Sequence, residues 1–365
     1  MALGRRHALP VSAWPAADQA LWQSIIAEGD ILDGSGPAAH WAPTTRDNVR
    51  KAYGYWLDWL GRSGLLDPME PPMDRIMPEW TKGYIEALEA DTAPLTRFVY
   101  ILDLLRFVQA AAPAHDWSWL KRIKNRLFAR ARPVREKTSK IQNAAKLLEL
   151  GLDLMDKADR ITCRYNPLQA EVQYRDGLMI ALLAARPVRL KNLAAIELGR
   201  HLLRIDDLYW LVFEAHEVKN RMHIEVPVPE ALTPYIDDYL ACHRPRLLQG
   251  KGSSRLWISR FGGPLSSGSI HRQVKLHTKA AFGKAIHPHL FRDCAATSIA
   301  IHDPEHVRIA ANLLGHHNLA TTQKYYDQSR MLEAGRHYQS TIHALRRTLR
   351  NEVRSPYKTP KDHAP

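Results

Sequence analysis

Cysteine is scarce in this chain of 365 residues. The three present, Cys163, Cys242 and Cys294, are far apart, odd in number and form no Cys-x-x-Cys pair. That excludes a disulfide framework and a cysteine zinc site, and it fits a reducing compartment. Long apolar runs are missing as well: none approaches the ~18 residues needed to span a bilayer. The opening stretch MALGRRHALPVSAW has two arginines but no apolar segment after them, so no leader is read there and a cytoplasmic protein without a membrane partner is expected. No clear carboxylate cluster is available to hold a divalent metal, so neither a metal nor another cofactor is expected. Acidic residues are in deficit, 38 against 51 Lys+Arg, for a net charge of +13. Such an excess is the footprint of a polyanion binder, but ribosome-associated and membrane-surface proteins share it, so charge alone selects no activity.

The length suggests about two domains. Residues 1–43 read as an N-terminal extension, with a helix from Asp18 to Ala27 and an irregular segment after it. A small helical bundle is expected over 44–131. Its first helix is capped by Thr45, carries Val49, Ala52, Tyr53, Trp56, Trp59 and Leu60 at helical spacing, and stops at Gly64. Further helices follow over Glu79–Glu89, Leu95–Ala111 and Trp117–Ala131. Nine of the residues from 121 to 140 are basic: Lys121, Arg122, Lys124, Arg126, Arg130, Arg132, Arg135, Lys137 and Lys140. Only Glu136 opposes them. Pro133 interrupts the pattern, which places a basic linker at 132–139 and makes this window the candidate phosphate-binding surface.

A second domain is expected over 140–330. Its helices are Ser139–Asp159, then Leu168–Ala185 with Asn166 as cap and Pro167 in the first turn, then a short one from Arg189. Arg186-Pro187 separates the last two. Three strand-like runs, Leu202–Ile205, Tyr209–Ala215 and His223–Val228, predict a small antiparallel sheet whose last hairpin turns over Glu217–Arg221. One helix is expected from Pro229 to about Arg244, and others over Ser269–Ala281, Pro288–Ile301, Pro304–Leu314 and Met331–Leu349. A polar composition punctuated by Pro356, Pro360 and Pro365 marks 350–365 as a disordered tail. The fold class is therefore mostly α with a small antiparallel β-sheet, an α+β chain.

Phosphoryl transfer needs fixed cations around the non-bridging oxygens, a nucleophile and a proton source for the leaving oxygen. Arginine suits the clamp because its planar fork binds two phosphate oxygens and stays charged. Candidate groups occur in this order: Arg189 after the Pro-interrupted helix, Lys219 in the hairpin, His289 and Arg292 on one helix face, His316 after the glycine cap Gly315, and Tyr325 nearby. Together these boxes resemble the tyrosine recombinases, the phage-integrase family. Pro187–Leu193 resembles that family's Gly-Leu-Arg-Ile-Ser-Glu-Leu box. Lys219 followed by Ile224–Pro229 resembles its hairpin lysine before a Val-Pro-Leu strand. His289–Asp293 resembles its His-x-Leu-Arg-His box, and Leu314-Gly315-His316 with Thr321–Tyr325 its Leu-Gly-His and Thr-Thr-x-x-Tyr boxes. The N-terminal bundle is similar to the family's core-binding domain in architecture. Two positions depart: Asn192 stands where Glu is usual, and Asp293 where a second histidine is usual. Arg186 competes with Arg189, but the spacing to Leu193 favours Arg189, and Arg186 reads as a helix-end charge.

The resemblance implies a site-specific recombinase or integrase acting on double-stranded DNA. Tyr325 would form a 3′-phosphotyrosyl link, Arg189, Arg292 and His316 would hold the phosphate oxygens, His289 would assist proton transfer from Tyr325, and Lys219 would protonate the leaving 5′-oxygen. Tyr326 is read as packing or exposed. The resemblance further implies a monomer free in solution and a homo-tetramer on synapsed DNA, with helix Met331–Leu349 docking between protomers and with accessory DNA-bending or directionality proteins as admissible partners. A type IB topoisomerase-like enzyme and a non-cutting DNA-binding regulator on the same scaffold stand as alternatives.

Overall fold

The computed structural model describes residues 6–30, 32, 34–131, 138–160, 166–219 and 221–302. The expected helices Pro304–Leu314 and Met331–Leu349, the tail, most of the linker, Cys163, His316, Tyr325 and Tyr326 lie outside the described residues. The chain divides into two compact units, residues 1–136 and 137–365. Among the described residues, no helix is long and apolar enough to cross a membrane.

Among the described residues of the first unit the regular structure is all helical. Its helices are α1 (Ala16–Ile26), α2 (Pro43–Arg62), α3 (Pro78–Glu89), α4 (Pro94–Ala111) and α5 (Ser118–Arg130). Three of them open on proline, whose missing N–H is one the first turn leaves unbonded anyway and whose φ is already helical. The N-terminus of α2 is therefore set by Pro43 after Ala42, and Thr45 is not its cap. At the other end Gly64 has φ +69°, the Leu65 N–H donates to Leu60 O at 2.9 Å and the Gly64 N–H to Gly61 O at 3.2 Å. This is the Schellman closure, and it requires a residue tolerant of the left-handed region. The core is aromatic: Tyr53 stacks on Phe107 at 3.8 Å, and Trp14 meets Tyr53 edge-on at 5.1 Å. Trp14, Trp22 and Ile25 belong to that core, so the N-terminal extension is built into the bundle. A buried ion pair, Arg75 to Asp18 at 2.7 Å, with the Tyr53 hydroxyl on the second carboxylate oxygen, ties α1 to α2 and to the loop before α3.

The second unit is built on α7 (Gln169–Ala185), which follows α6 (Ala144–Asp156). Tyr174, Leu178–Leu183 and the Arg175–Asp176 pair are all buried, as expected of a helix apolar on every side. The helix expected from Ser139 starts later, at Ala144. Asn143 caps it by accepting the Ala145 N–H at 2.8 Å, and residues 138–140 form a separate 3₁₀ turn. Residues 141–144 are held by Lys284 and by the late helix that contains Ser298. Lys284 Nζ donates to Ile141 O at 2.8 Å, and the Ala144 N–H donates to Ser298 Oγ at 2.9 Å. Asn166 does not cap α7; its side chain donates to Gln169 Oε1 at 2.6 Å, and the helix begins after Leu168.

After α8 (Leu190–Ala195) come β1 (Leu202–Ile205), β2 (Leu208–Phe213) and β3 (Ile224–Pro227), an antiparallel sheet in the order β1-β2-β3. Leu211 faces Leu202 on one side and Val226 on the other. Alternate residues of β2, Tyr209, Leu211 and Phe213, are buried. The single helix expected over 229–244 is instead a 3₁₀ turn, α9 (Thr233–Asp238), a π turn at Tyr239–His243 and α10 (Arg244–Leu248). Pro245 has no N–H to donate four residues back and its ring crowds that carbonyl, so the wider π turn takes up the mismatch. The described chain closes with α11 (Ser267–Phe282), capped by Ser266 Oγ, and α12 (Pro288–His302).

Candidate active site

The end of α7 organises the site. Arg186 leaves helical geometry and donates from Nε to Pro227 O at 2.8 Å and from Nη1 to Ala185 O at 3.1 Å. It joins the end of α7 to β3, the strand that returns from the Lys219 hairpin. Three residues on, Arg189 is the N-cap residue of α8 and is half-buried. Burial lowers the pKa of both guanidinium groups from the ordinary arginine value. An arginine remains cationic under such a shift, so the cost of burial becomes a stronger demand for an anion. The rest of α8 is pinned from the core: the Trp257 indole N–H donates to Leu193 O at 2.8 Å, and Arg255 Nη1 donates to Ala195 O at 2.7 Å. Asn192 is buried.

His289 and Arg292 both project from the first turns of α12. Arg292 is buried and donates from Nη1 to Pro187 O at 2.6 Å, two residues before Arg189. Thus α7, α8, β3 and α12 converge around the Arg186–Arg189 segment. His289 is exposed. His287 caps α12, its Nδ1 accepting the Leu290 N–H at 3.2 Å. Its ring is parallel to His289 at 6.4 Å and to His271 of α11 at 6.0 Å. Nothing in the sequence marks His287 for this position, since a cap is read from geometry and histidine is not among the usual capping residues.

Lys219 is exposed at the β2–β3 turn, where the Arg221 N–H donates to Val218 O at 2.9 Å. Val218 beside it is buried. The turn is braced by residues that no sequence motif marks: Glu217 accepts from Arg200 at 2.6 Å and lies 3.1 Å from His201 Nε2. His316 and Tyr325, the remaining two expected members, lie outside the described residues. Among the described residues, no group of three or more His, Cys, Asp or Glu is placed to hold a metal ion.

In the first unit Lys121, Arg122, Arg126 and Arg130 are exposed on α5, with Lys124 partly so. That helix carries no carboxylate to neutralise them. Lys140 is exposed in the 3₁₀ turn that opens the second unit. Arg132, Arg135 and Lys137 lie outside the described residues.

Residues 154–331 match the sequence model of the Phage integrase family. The tyrosine recombinase XerD of Staphylococcus saprophyticus is 30% identical over 154 residues, 42% of this chain and 50% of that protein. XerD of Staphylococcus aureus is 31% identical over 153 residues, with the same coverage. The chain thus spans half the length of these curated relatives. Among solved structures, the XerH site-specific recombinase in a post-cleavage complex with its palindromic difH substrate superposes with a TM-score of 0.54 at 14% identity, over 81% of this chain and 80% of that one. Its pre-cleavage complex gives 0.52 at 14% identity, over 80% and 79%. The matched segment holds every candidate catalytic position from Arg189 to Tyr325, and in this segment the chain is similar to the phage integrase, or tyrosine recombinase, family, whose XerH member shares its fold.

Proposed function

We propose that the chain is a site-specific DNA recombinase that cuts and rejoins double-stranded DNA through a 3′-phosphotyrosyl intermediate. The observation that carries the reading is the junction at Pro187: Arg292 reaches its carbonyl from α12 while Arg189 follows it by two residues. That bond ties two arginines from separate elements, one buried and one half-buried, to one short segment, as a clamp on a single phosphate requires. The Tyr325 oxygen attacks phosphorus, the bond to the 5′-oxygen breaks, and Lys219 gives that oxygen a proton. His289 takes the phenolic proton, while Arg189, Arg292 and His316 hold the non-bridging oxygens as charge builds. Because the phosphoester energy is kept in the tyrosyl link, the reverse attack by a 5′-hydroxyl rejoins the strand without ATP.

Substrate binding rests on the cationic face of α5, which meets phosphates irrespective of sequence. The solved relatives bound to difH DNA support duplex DNA as the substrate class here. A free monomer that assembles as a tetramer on two duplexes follows from the same family reading, with 331–349 crossing between protomers.

The test is covalent capture on nicked duplexes. Tyr325→Phe abolishes the protein–DNA adduct while leaving DNA binding nearly intact, and Tyr326→Phe is close to neutral. Exchanged phenotypes would put the final box out of register by one residue. Binding without any adduct in the unmodified protein would favour the regulator, and relaxation of supercoils without strand exchange the topoisomerase.

A further inference from the structure

The brace beneath Lys219 has its own logic. Glu217 ends a 3₁₀ turn, Ala215–Glu217, which leaves β2 two residues before Lys219. One carboxylate oxygen, Oε1, accepts from Arg200 Nη2 at 2.6 Å and lies 3.1 Å from His201 Nε2. The other, Oε2, accepts the Glu214 N–H at 3.0 Å. His201 is 3% exposed, and its Nδ1 accepts the Glu197 N–H at 3.1 Å. With Nδ1 occupied as an acceptor, the ring proton of neutral His201 belongs on Nε2, facing Glu217. The Val212 N–H donates to His201 O at 2.9 Å, so the histidine is also built into the edge of β2. Desolvation raises the Glu217 pKa, but the hydrogen bonds from His201 and the Glu214 N–H, with the nearby Arg200 charge, outweigh it and hold the carboxyl below its ordinary value.

A hairpin lysine is otherwise hard to aim. Its side chain is long and rotamer-rich, and the tip of a two-stranded ribbon swings at its base. Here the base is fastened by three donors on one carboxylate and by buried Val218, and exposed Lys219 follows directly. A cleft of about 290 Å³, lined by Lys191, Asn192 and Ala195 of α8 on one side and by Phe213, His216 and Glu217 on the other, opens beside the brace.

We infer that Glu217, clamped by Arg200 and His201, is a positioning residue for Lys219, setting where the general acid meets the leaving 5′-oxygen. This rests on the recombinase reading above. Lys219 donates its proton to the oxygen as the phosphorus–oxygen bond breaks. Where sulfur replaces that bridging oxygen, the phosphorus–sulfur bond breaks and the thiolate leaves without a proton, so both the acid and its brace become dispensable.

The experiment uses the full chain and duplexes that the unmodified protein captures covalently from a random-sequence nicked pool, resynthesised with a bridging oxygen or a bridging sulfur at the cleaved phosphate. Failure of the unmodified protein to capture any duplex sinks the recombinase reading itself. Given capture, Glu217→Ala slows cleavage of the oxygen substrate by about tenfold or more, a fraction of the 10²–10⁴ that a general acid supplies, and leaves the sulfur substrate within about twofold. Glu217→Gln, which retains an acceptor for Arg200 and His201, restores part of the rate. In the Lys219→Ala background, Glu217→Ala adds less than about a twofold effect, because its only route to the rate is gone. Equal slowing on both substrates, or an undiminished effect without Lys219, overturns the inference in favour of a purely structural brace. Should Glu217→Ala fail to fold, Arg200→Met, on a side chain 56% exposed, gives the same substrate contrast at smaller amplitude, and equal slowing there overturns it as well.

Discussion

Helices α6 and α7 touch through glycine, and their close approach can be tested by one added methyl group. A Cβ on Gly177 would lie 2.7 Å from Gly151 O and 2.9 Å from both Leu154 Cβ and Met155 Cγ. A Cβ on Gly151 would lie 2.6 Å from Ala181 N and 2.7 Å from Gly177 O. Two effects oppose each other in Gly177→Ala. Mid-helix alanine is favoured over glycine by about 0.8–1 kcal/mol. Overpacking costs about 1–3 kcal/mol, and the upper end applies because a backbone carbonyl cannot rotate aside as a side chain does. The expected net loss is about 2 kcal/mol, a fall of about 4–8 °C in the melting temperature of a unit this size. Hydrogen exchange resolved to the α6 and α7 amides reads the second unit separately from the first. On the proposed recombinase reading, cleavage falls along with stability, since α7 delivers Pro187 and Arg189. Gly151→Ala combined with Gly177→Ala costs less than the sum, because one separation of the helices relieves both clashes. Gly61→Ala on α2 is the control: its nearest neighbour, Leu66 Cδ2, is 3.8 Å away, so propensity prevails and stability rises by up to about 1 kcal/mol. A Gly177→Ala protein that gains stability like the control would refute the close approach.

Neutralising Lys121, Arg122 and Arg126 on α5 lowers the log–log salt dependence of DNA binding by about 0.9 for each phosphate no longer paired with a cation, measured by titration at several salt concentrations; an unchanged slope would mean the face is merely solvated. Burial pushes the Cys294 thiol up to about 11, so at pH 8 only about one molecule in a thousand holds the thiolate. Cys294 therefore resists alkylation in the native protein while exposed Cys242 reacts. Because the folded-state pKa is raised, the associated stability is present below the ordinary thiol pKa and is lost as pH climbs toward 11; rapid labelling of Cys294 at pH 8 would contradict its burial. Truncation after Ser329 keeps single-site binding but impairs the four-protomer complex on native gels, and a truncated chain that still assembles would dismiss 331–349 as the docking segment.

Local chemistry accounts for much of this chain. The apolar spacing in α2, the proline starts of α3 and α4, and the alternation in β2 each depend on residues a few positions apart, so periodicity in the sequence is enough to place them. The order of the boxes that resemble those of recombinases is likewise a property of the string of residues. Tertiary contacts decided the rest. Asn143 starts α6 later than propensity suggests because α12 and its approach engage the backbone before it. Pro245 breaks a continuous helical pattern by opening a π turn. Trp14 and Trp22 turn an N-terminal extension into core. The Arg292–Pro187 bond and the Arg200–Glu217–His201 brace join residues whose separation along the chain carries no periodic signal. Each exists because folding brings a donor to an acceptor that would otherwise be buried unpaired or left to water, and that pairing is decided in three dimensions.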